Sequence, residues 1–181
     1  NLATIATTFS TFARMPEPEN SLFELDGLVQ SVHDLFLEEN VDFSLYIEEL
    51  SNGKIYDVLA DKKLLMRVLN NLIKNAIQAI PEDRRGAISV SLKHNEETAL
   101  IEISDNGTGI PEEMLEKVFF PQFTTKSSGS GLGLAICRDI VKAAGGRIWF
   151  ETELNIGSQF FVELPLAKKV NVDADLVATR N

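Results

Sequence analysis

The sequence predicts an α+β fold: a two-layer α/β sandwich with helices packed on one face of a mixed, mostly antiparallel sheet. Amphipathic segments with apolar residues at helical spacing predict the helices, and segments of alternating apolar and polar residues predict the strands. Short polar turns between alternating segments indicate antiparallel neighbours. With 181 residues, 44% of them hydrophobic, the chain is long enough to bury one main core.

The first half of the sequence predicts three helices. Residues 1–15 have apolar residues at helical spacing, and the prolines of "MPEPEN" (Met15–Asn20) then end that helix. Asp61 is a suitable N-cap for a long helix that ends at Pro81. An amphipathic helix is predicted over Leu25–Asn40, with an apolar face formed by Leu28, Val32, Leu35 and Phe36.

Three pairs of alternating segments predict six strands. In order, the pairs are "VDFSLYI" and "KIYDVLA" around "SNG", "AISVSLKH" and "ALIEIS" around "NEET", and "RIWFETE" and "SQFFVELPL" around "LNIG". We predict that the first pair forms a hairpin. Residues 167–181 have no packing pattern, and we expect a loose tail there.

The composition excludes several classes of protein. A formal net charge of −10 argues against a nucleic-acid-binding surface, which requires basic residues. No apolar run is long enough to span a bilayer, and no signal peptide opens the sequence. The single cysteine, Cys137, excludes an internal disulfide, and we predict that it is a small buried residue on a helix. Because the sequence begins with Asn1, we expect it to be a piece of a longer protein.

The long helix has a polar line on an otherwise apolar surface. Asn71, Asn75 and Gln78 fall on one line of "LLMRVLNNLIKNAIQAI" (Leu64–Ile80). This line either faces solvent or lines a cavity beneath the helix. In a cavity, an amide oxygen would be a suitable ligand for Mg²⁺, which binds few protein oxygens together with phosphates and water.

Two glycine-rich stretches adjoin predicted strands and helices. In "DNGTGIP", Asp105 lies at the end of a predicted strand and is followed in sequence by Gly107 and Gly109. This motif is either a turn or a site where a carboxylate accepts a hydrogen bond from an exocyclic amine such as that of adenine. "KSSGSGLGLAICRDIV" (Lys126–Val141) has glycines at alternate positions and then enters a helix. These glycines form either a hinge or backbone whose N–H groups come close to a ligand.

Other designs of nucleotide or metal site are absent from the sequence. The Gly53–Lys54 pair is followed by Ile55 and makes no P-loop. Neither glycine stretch gives a Rossmann fingerprint after a strand. No cysteine and histidine cluster predicts a zinc site, and there is no nucleophile elbow.

Four short motifs together resemble those of a known family. In order they are "NLIKNA" (Asn71–Ala76), "DNGTGI" (Asp105–Ile110), "FFPQF" (Phe119–Phe123) and "GSGLGL" (Gly129–Leu134). They resemble the N, G1, F and G2 boxes of the ATP-binding domain of sensor histidine kinases, in the superfamily of DNA gyrase, Hsp90 and MutL. The resemblance covers residues 20–166 and implies the Bergerat-type ATP-binding fold. The opening "FSTFARMPEPENSLFELDGLV" further resembles kinases of the nitrogen-regulation NtrY/NtrB type.

The resemblance implies where Mg²⁺ and the phosphates of ATP bind. Asn75 would bind Mg²⁺ through its side-chain oxygen, with Asn71 nearby on the phosphate side. The residues implied to approach the phosphates are Lys126, Gly129, Ser130, Gly131, Leu132 and Gly133, the last at a helix N-terminus. Catalysis by Asn71, Asn75 and Lys126 would consist of positioning and charge stabilisation.

The resemblance also implies how adenine is bound and covered. Asp105 would accept a hydrogen bond from the adenine amine, helped by Ser158 through water. Gly107 and Gly109 would admit the base. Residues 111–130 would form a lid, pinned by the first and last phenylalanines of "FFPQF".

The organisation and partners of the parent protein follow from the same resemblance. The implied parts are the end of a dimerisation and phosphoacceptor helix (1–15), a linker (16–22), the catalytic ATP-binding domain (23–166) and the tail (167–181). The domain would transfer the γ-phosphoryl group of ATP to a histidine on that dimerisation helix, for relay to a response regulator receiver domain. We expect a homodimeric parent, a cytoplasmic domain whether or not the parent is anchored in the inner membrane, and no nucleic-acid partner.

Two other functions stay open at this point. One is an ATP-hydrolysing clamp of the gyrase or Hsp90 kind. Those relatives resemble one another in a glutamate base four residues before the magnesium asparagine. This sequence has Asn71 there, and an amide cannot take up a proton in that way. The other is a non-catalytic binding module that has kept the fold and lost ATP.

Neither histidine of the sequence fits the phosphoacceptor. His33 opens "HDLFLE", but Phe36 and Leu37 follow where the family's acceptor motif continues with a basic residue. His94 ends a predicted strand beside a polar turn, and we predict it at the surface. We therefore expect the acceptor helix to lie upstream of Asn1.

Overall fold

The computed structural model of the chain describes residues 17–49, 56–121 and 131–167. Predictions for residues 1–15 and for the tail after Ala167 lie outside these ranges. Within them the chain forms seven strands, three α-helices and one 3₁₀-helix. In chain order they are β1 (Ser21–Glu24), α1 (Leu25–Asp34), β2 (Asp42–Ile47), β3 (Asp57–Ala60), α2 (Lys62–Ala79), β4 (Ala87–His94), β5 (Thr98–Asp105), the 3₁₀-helix (Glu112–Lys117), α3 (Gly133–Ala143), β6 (Arg147–Glu153) and β7 (Gly157–Pro165).

Of the described strands, five form one sheet in the order β2–β4–β5–β7–β6. β2 and β4 are parallel, and the other described pairs of this sheet are antiparallel. The helices pack on one face, where alternate strand residues such as Val90, Ile101 and Val162 are buried. The predicted α+β sandwich of two layers is confirmed.

β1 and β3 form a separate antiparallel pair, with Leu22 opposite Leu59. The predicted hairpin between β2 and β3 is therefore wrong, because β2 lies beside β4, with Asp42 opposite Ala87. Alternation of apolar and polar residues specifies which face of a strand is buried, but it does not specify the neighbouring strand. The turn signal "SNG" lies outside the described residues.

α1 is shorter than the predicted helix. It ends at Asp34, and turns continue the chain until the N–H of Glu39 donates to the carbonyl oxygen of Phe36 (3.1 Å). Phe36 is buried from this turn, whereas Leu35 is 63% exposed and does not belong to the apolar face. The apolar pattern continues beyond the end of the helix because Phe36, a residue of the turn, is also buried.

α2 begins where the sequence predicts. The side chain of Asp61 accepts hydrogen bonds from the N–H groups of Lys63 (2.9 Å) and Leu64 (3.1 Å) and from that of Glu19 (2.9 Å). The bonds from Leu64 and Glu19 hold the pKa of Asp61 below its usual value. The helix is thus capped at its start, and it ends at Ala79, shortly before a proline.

α3 ends in a glycine pair. Gly145 has a φ of +74°, which favours glycine, and its N–H donates to the carbonyl of Lys142 (3.0 Å). The N–H of Gly146 donates to the carbonyl of Val141 (2.9 Å), which completes a Schellman motif. None of the helices in the described part of the chain is long and apolar enough to cross a membrane.

Candidate functional site

Asp105, the last residue of β5, is a buried carboxylate with only 8% of its surface exposed. Its Oδ1 accepts hydrogen bonds from the backbone N–H of Gly107 (2.8 Å) and of Ser158 (3.3 Å). Ser158 is the partner of Asp105 in the β5–β7 register. Backbone groups from two segments therefore fix the orientation of this carboxylate.

Gly107 and Gly109 are required by close backbone contacts. A Cβ on Gly107 would lie 2.7 Å from the carbonyl oxygen of Ala79, at the end of α2. Gly109 has a φ of +68°, and a Cβ there would overlap the carbonyl of Glu153. The N–H of Thr108 also donates to Ala79 O (2.9 Å). The loop after Asp105 is thus held between α2 and the β6–β7 turn.

Thr152 on β6 joins this loop to β7. Its hydroxyl accepts from the N–H of Ile110 (2.9 Å), donates to Gly157 O (3.0 Å) and lies 2.9 Å from Ser158 Oγ. The sequence interpretation named Ser158 but missed Thr152. The feature that could have indicated Thr152 is its position opposite Ser158 in the β6–β7 pair.

Arg84, in the connection between α2 and β4, holds the loop from the other side. Its Nη1 donates to the carbonyl oxygens of Asn106 (2.6 Å) and Gly107 (2.8 Å). The Asn106 side chain accepts from the N–H of Ala87 (2.8 Å) and donates to Arg85 O (3.0 Å). The sequence interpretation missed Arg84 because no local pattern links it to the loop.

Two members of the polar line on α2 contact each other. Asn75 Nδ2 donates to Asn71 Oδ1 (3.1 Å), and both residues are partly buried. Gln78, the third member, is exposed. The line is therefore partly buried at Asn71 and Asn75 and exposed at Gln78.

The start of α3 packs directly on Asn71, one member of this pair. A Cβ on Gly133 would lie 2.5 Å from Asn71 Nδ2, so the first turn of α3 is as close to α2 as glycine allows. Leu132 at the N-cap position is buried and provides no side-chain cap. Gly131 before it has a φ of +66°. The first N–H groups of α3 thus lie beside Asn71.

Charge also favours an anionic ligand at this helix. α2 has four basic residues and no acidic residue, although the whole chain has a net charge of −10. They are Lys62, Lys63, Arg67 and Lys74. Of these, Arg67 and Lys74 stand four residues before and three residues after Asn71, on the same side of the helix, and their charge favours an anionic ligand there.

Part of the predicted site lies outside the described residues. Lys126, Gly129, Ser130 and Phe123 belong to this part. Of the predicted lid, the described portion contains the 3₁₀-helix and Phe119, whose ring lies 5.8 Å from that of Phe150.

The cysteine and the two histidines belong to the body of the domain. Cys137 is buried as predicted, and burial raises the pKa of its thiol to about 12. His33 on α1 stacks on Phe43 at 4.9 Å. His94 at the end of β4 lies edge-on to Tyr56 and is partly buried.

The comparisons with known proteins agree with this fold. The profile of the family described as "Histidine kinase-, DNA gyrase B-, and HSP90-like ATPase" matches residues 60–168. Sporulation kinase D of Bacillus subtilis (strain 168) is 31% identical over 162 residues, which make up 87% of this chain and 32% of that protein. The chain spans about a third of the length of the curated relatives it matches.

Two solved structures of one histidine kinase, ThkA, are similar to the fold. Its catalytic domain in a nucleotide-free form has a TM-score of 0.71 and 36% identity, over 83% of this chain and 99% of that domain. ThkA in complex with the response regulator protein TrrA has a TM-score of 0.73 and 33% identity, over 92% of this chain and 47% of that chain. Because the family profile matches more than half of the chain, the chain belongs to the histidine kinase-, DNA gyrase B- and HSP90-like ATPases, as the ATP-binding catalytic domain of a histidine kinase.

Proposed function

We propose that this domain binds ATP together with Mg²⁺ and transfers the γ-phosphoryl group to a histidine on a dimerisation helix of its parent protein. The observation that supports it best is the continuity of the site. Asp105 is joined to the end of α2 through Gly107, and α2 is joined to the start of α3 through Asn71 and Gly133. One ligand with a base and a triphosphate spans these groups.

At the adenine end, Asp105 accepts the hydrogen bond of the exocyclic amine, with Ser158 contributing through water. Because backbone N–H groups already orient Oδ1, the carboxylate needs no rearrangement to accept this donor. Gly107 and Gly109 let the loop after Asp105 pack directly against Ala79 and Glu153, and in this proposal they also admit the base. A guanine, which presents a carbonyl at the corresponding position, would place two acceptors against each other.

At the phosphate end, the donor set suits Mg²⁺. Asn71 and Asn75 present partly buried, neutral amide groups, and Mg²⁺ is usually bound by few protein oxygens with phosphates and water. When bound through the Asn75 oxygen, Mg²⁺ would supply positive charge to the phosphates.

The chain itself would orient the triphosphate. The backbone N–H groups of Gly131, Leu132 and Gly133 bind phosphate at the start of α3. Lys126, Gly129 and Ser130, outside the described residues, complete this set in the proposal. Asn71 is an amide and cannot act as the base that activates water, which favours transfer to a protein acceptor over hydrolysis.

We further propose that the parent is a homodimer and that it relays the phosphoryl group to a receiver domain. The complex of ThkA with the response regulator protein TrrA supports the choice of this partner. In this proposal residues 1–15 end the dimerisation helix, 16–22 link it to the domain, and 23–166 form the catalytic unit. In a finer proposal, the stretch Phe9–Val29 assigns the parent to the NtrY/NtrB type. Since His33 and His94 pack within the domain, we propose that the acceptor histidine is provided by the dimerisation helix.

Calorimetric titration with ATP, with and without Mg²⁺, tests the proposal. Wild type should bind ATP more tightly with Mg²⁺, and Asn75→Ala should lose most of this gain while remaining folded. Asn70→Ala is the matched control, because its buried Oδ1 has no hydrogen-bond partner among the described residues. A wild type that binds no ATP would contradict the proposal. An Asn75→Ala variant with unchanged Mg²⁺ dependence would contradict the metal assignment.

A further inference from the structure

We propose that Arg84 is a positioning residue for adenine recognition, acting through the loop behind Asp105. This inference rests on the proposed binding of ATP. Arg84 is partly buried, and its Nη1 donates to both Asn106 O and Gly107 O. None of the four sequence motifs contains it.

The first of these two bonds acts on the group that holds the carboxylate. Asn106 O and Gly107 N belong to the same peptide unit, which is planar and rigid. Arg84 binds this unit at its oxygen (2.6 Å), and the unit donates its N–H to Asp105 Oδ1 (2.8 Å). A rotation of the peptide away from Arg84 would therefore also turn its N–H away from Asp105.

The cationic donor also strengthens the hydrogen bond to the carboxylate. A positive charge at the oxygen of a peptide unit polarises it and makes its N–H a better donor. The second bond, to Gly107 O at 2.8 Å, fixes the next peptide unit, whose N–H belongs to Thr108 and donates to Ala79 O. Arg84 thus controls two successive peptide units of the loop.

Other contacts keep the loop in place without Arg84. The Asn106 side chain bonds to the backbone of Arg85 and Ala87, and the N–H of Thr108 donates to Ala79 O. Loss of the guanidinium should therefore change the orientation of the Asp105 carboxylate more than the stability of the fold. The effect should appear in recognition of the base and not in binding of the phosphates.

The test compares Arg84→Met with Arg85→Met, its neighbour. Arg85 is exposed and makes a surface ion pair with Asp42 (2.7 Å), so its loss is the matched control. Calorimetry with Mg²⁺ present measures the affinity for ATP, GTP and inorganic tripolyphosphate, and thermal unfolding reports stability.

For Arg84→Met we expect about tenfold weaker ATP binding, a smaller ratio of ATP affinity to GTP affinity, and tripolyphosphate affinity within about twofold of wild type. Arg85→Met should match wild type in all three, and Arg84→Lys should recover part of the ATP affinity.

A double variant shows whether Arg84 acts through Asp105. If it does, Asp105→Asn with Arg84→Met should bind ATP about as weakly as Asp105→Asn alone. The inference would be overturned if the two substitutions reduced ATP affinity by factors that multiply in the double variant. It would also be overturned if Arg84→Met left ATP affinity unchanged, or reduced the affinities for ATP and tripolyphosphate equally. If Arg84→Met does not fold, Arg84→Gln replaces it under the same criteria. A wild type that binds neither ligand would instead reject the ATP site itself.

Discussion

The two ends of the proposed ATP site differ in how completely the protein holds them before a ligand binds. At the adenine end, backbone N–H groups orient Asp105, while Arg84 and Thr152 bind the loop behind it. At the phosphate end, the described contacts are the bond between Asn71 and Asn75 and the packing of Gly133 of α3 on Asn71. No side chain caps the described start of α3.

This difference predicts two modes of binding within the proposed site. A carboxylate fixed by backbone donors can select a base without reorganisation of the protein. At the phosphate end, the first N–H groups of a helix have no intrahelical partner, and a phosphate can satisfy them. The Asn71–Asn75 bond engages Asn75 through Nδ2, so binding of a metal to Asn75 Oδ1 does not require this bond to break.

The largest effect should come from breaking the scaffold of the adenine end. Gly109→Ala introduces a Cβ at a φ of +68° that overlaps the backbone carbonyl of Glu153, and a backbone atom cannot move aside cheaply. We expect the free energy of unfolding to fall by about 3 kcal/mol, measured by urea denaturation. Gly27→Ala is the control, because no atom lies within 4 Å of its added Cβ on α1, and it should raise stability by about 0.5–1 kcal/mol. An equally stable Gly109→Ala would refute the backbone contact.

Next in size is the loss of the acceptor itself. Asp105→Asn should weaken ATP binding by about 1.5–3 kcal/mol, because the amide can present a donor to the adenine amine. Calorimetry with ATP and GTP measures the effect. Equal affinity of the wild type for the two nucleotides would mean that Asp105 does not select the base.

A smaller effect is expected at the phosphate end. In Gly133→Ala the new Cβ displaces the flexible amide of Asn71 and leaves the backbone in place. Mg²⁺-ATP affinity should fall about tenfold, with the free energy of unfolding changed by less than about 0.5 kcal/mol. Adenosine binding, which does not involve this end, should stay the same. If adenosine affinity fell equally, the two ends would not be independent.

The smallest effect on binding is expected at the far end of α2. Asp61→Ala should cost about 1 kcal/mol of stability at pH 7 through loss of the N-cap, with ATP affinity unchanged. Hydrogen bonds lower the pKa of Asp61 in the folded chain. Its contribution to stability is therefore present at pH values well above the ordinary pKa of 3.8, and it is lost as the pH falls through the pKa of the folded state. The stability difference between wild type and variant should therefore shrink in acid, measured by denaturation between pH 7 and 3. A difference that stays constant would contradict the charged cap.

The sequence predicted those features whose cause is local. Asp61 caps α2 through bonds two and three residues away, and the strands follow from alternation along one segment. Asp105 and Asn75 were named as candidate site residues because their residue types stand in short contiguous motifs. Such motifs name the residues but say nothing about which other segments hold them.

Features that join distant segments could not be predicted. Arg84 binds a carbonyl 23 residues away, and Thr152 accepts from an N–H 42 residues away. The pairing of β1 with β3 likewise depends on which edges are close once the core has formed. These contacts exist only in the folded chain, so a pattern in one segment does not indicate them.

The central claim is that the adenine end is formed before the ligand binds and the phosphate end is completed by Mg²⁺. Calorimetric titration of the wild-type domain with adenosine and with inorganic tripolyphosphate, each with Mg²⁺ and with a chelator, tests it most directly. The account predicts that adenosine binds equally in both conditions and more tightly than guanosine, and that tripolyphosphate binds measurably only with Mg²⁺. Adenosine binding that requires Mg²⁺, or guanosine binding as tight as adenosine binding, would contradict it.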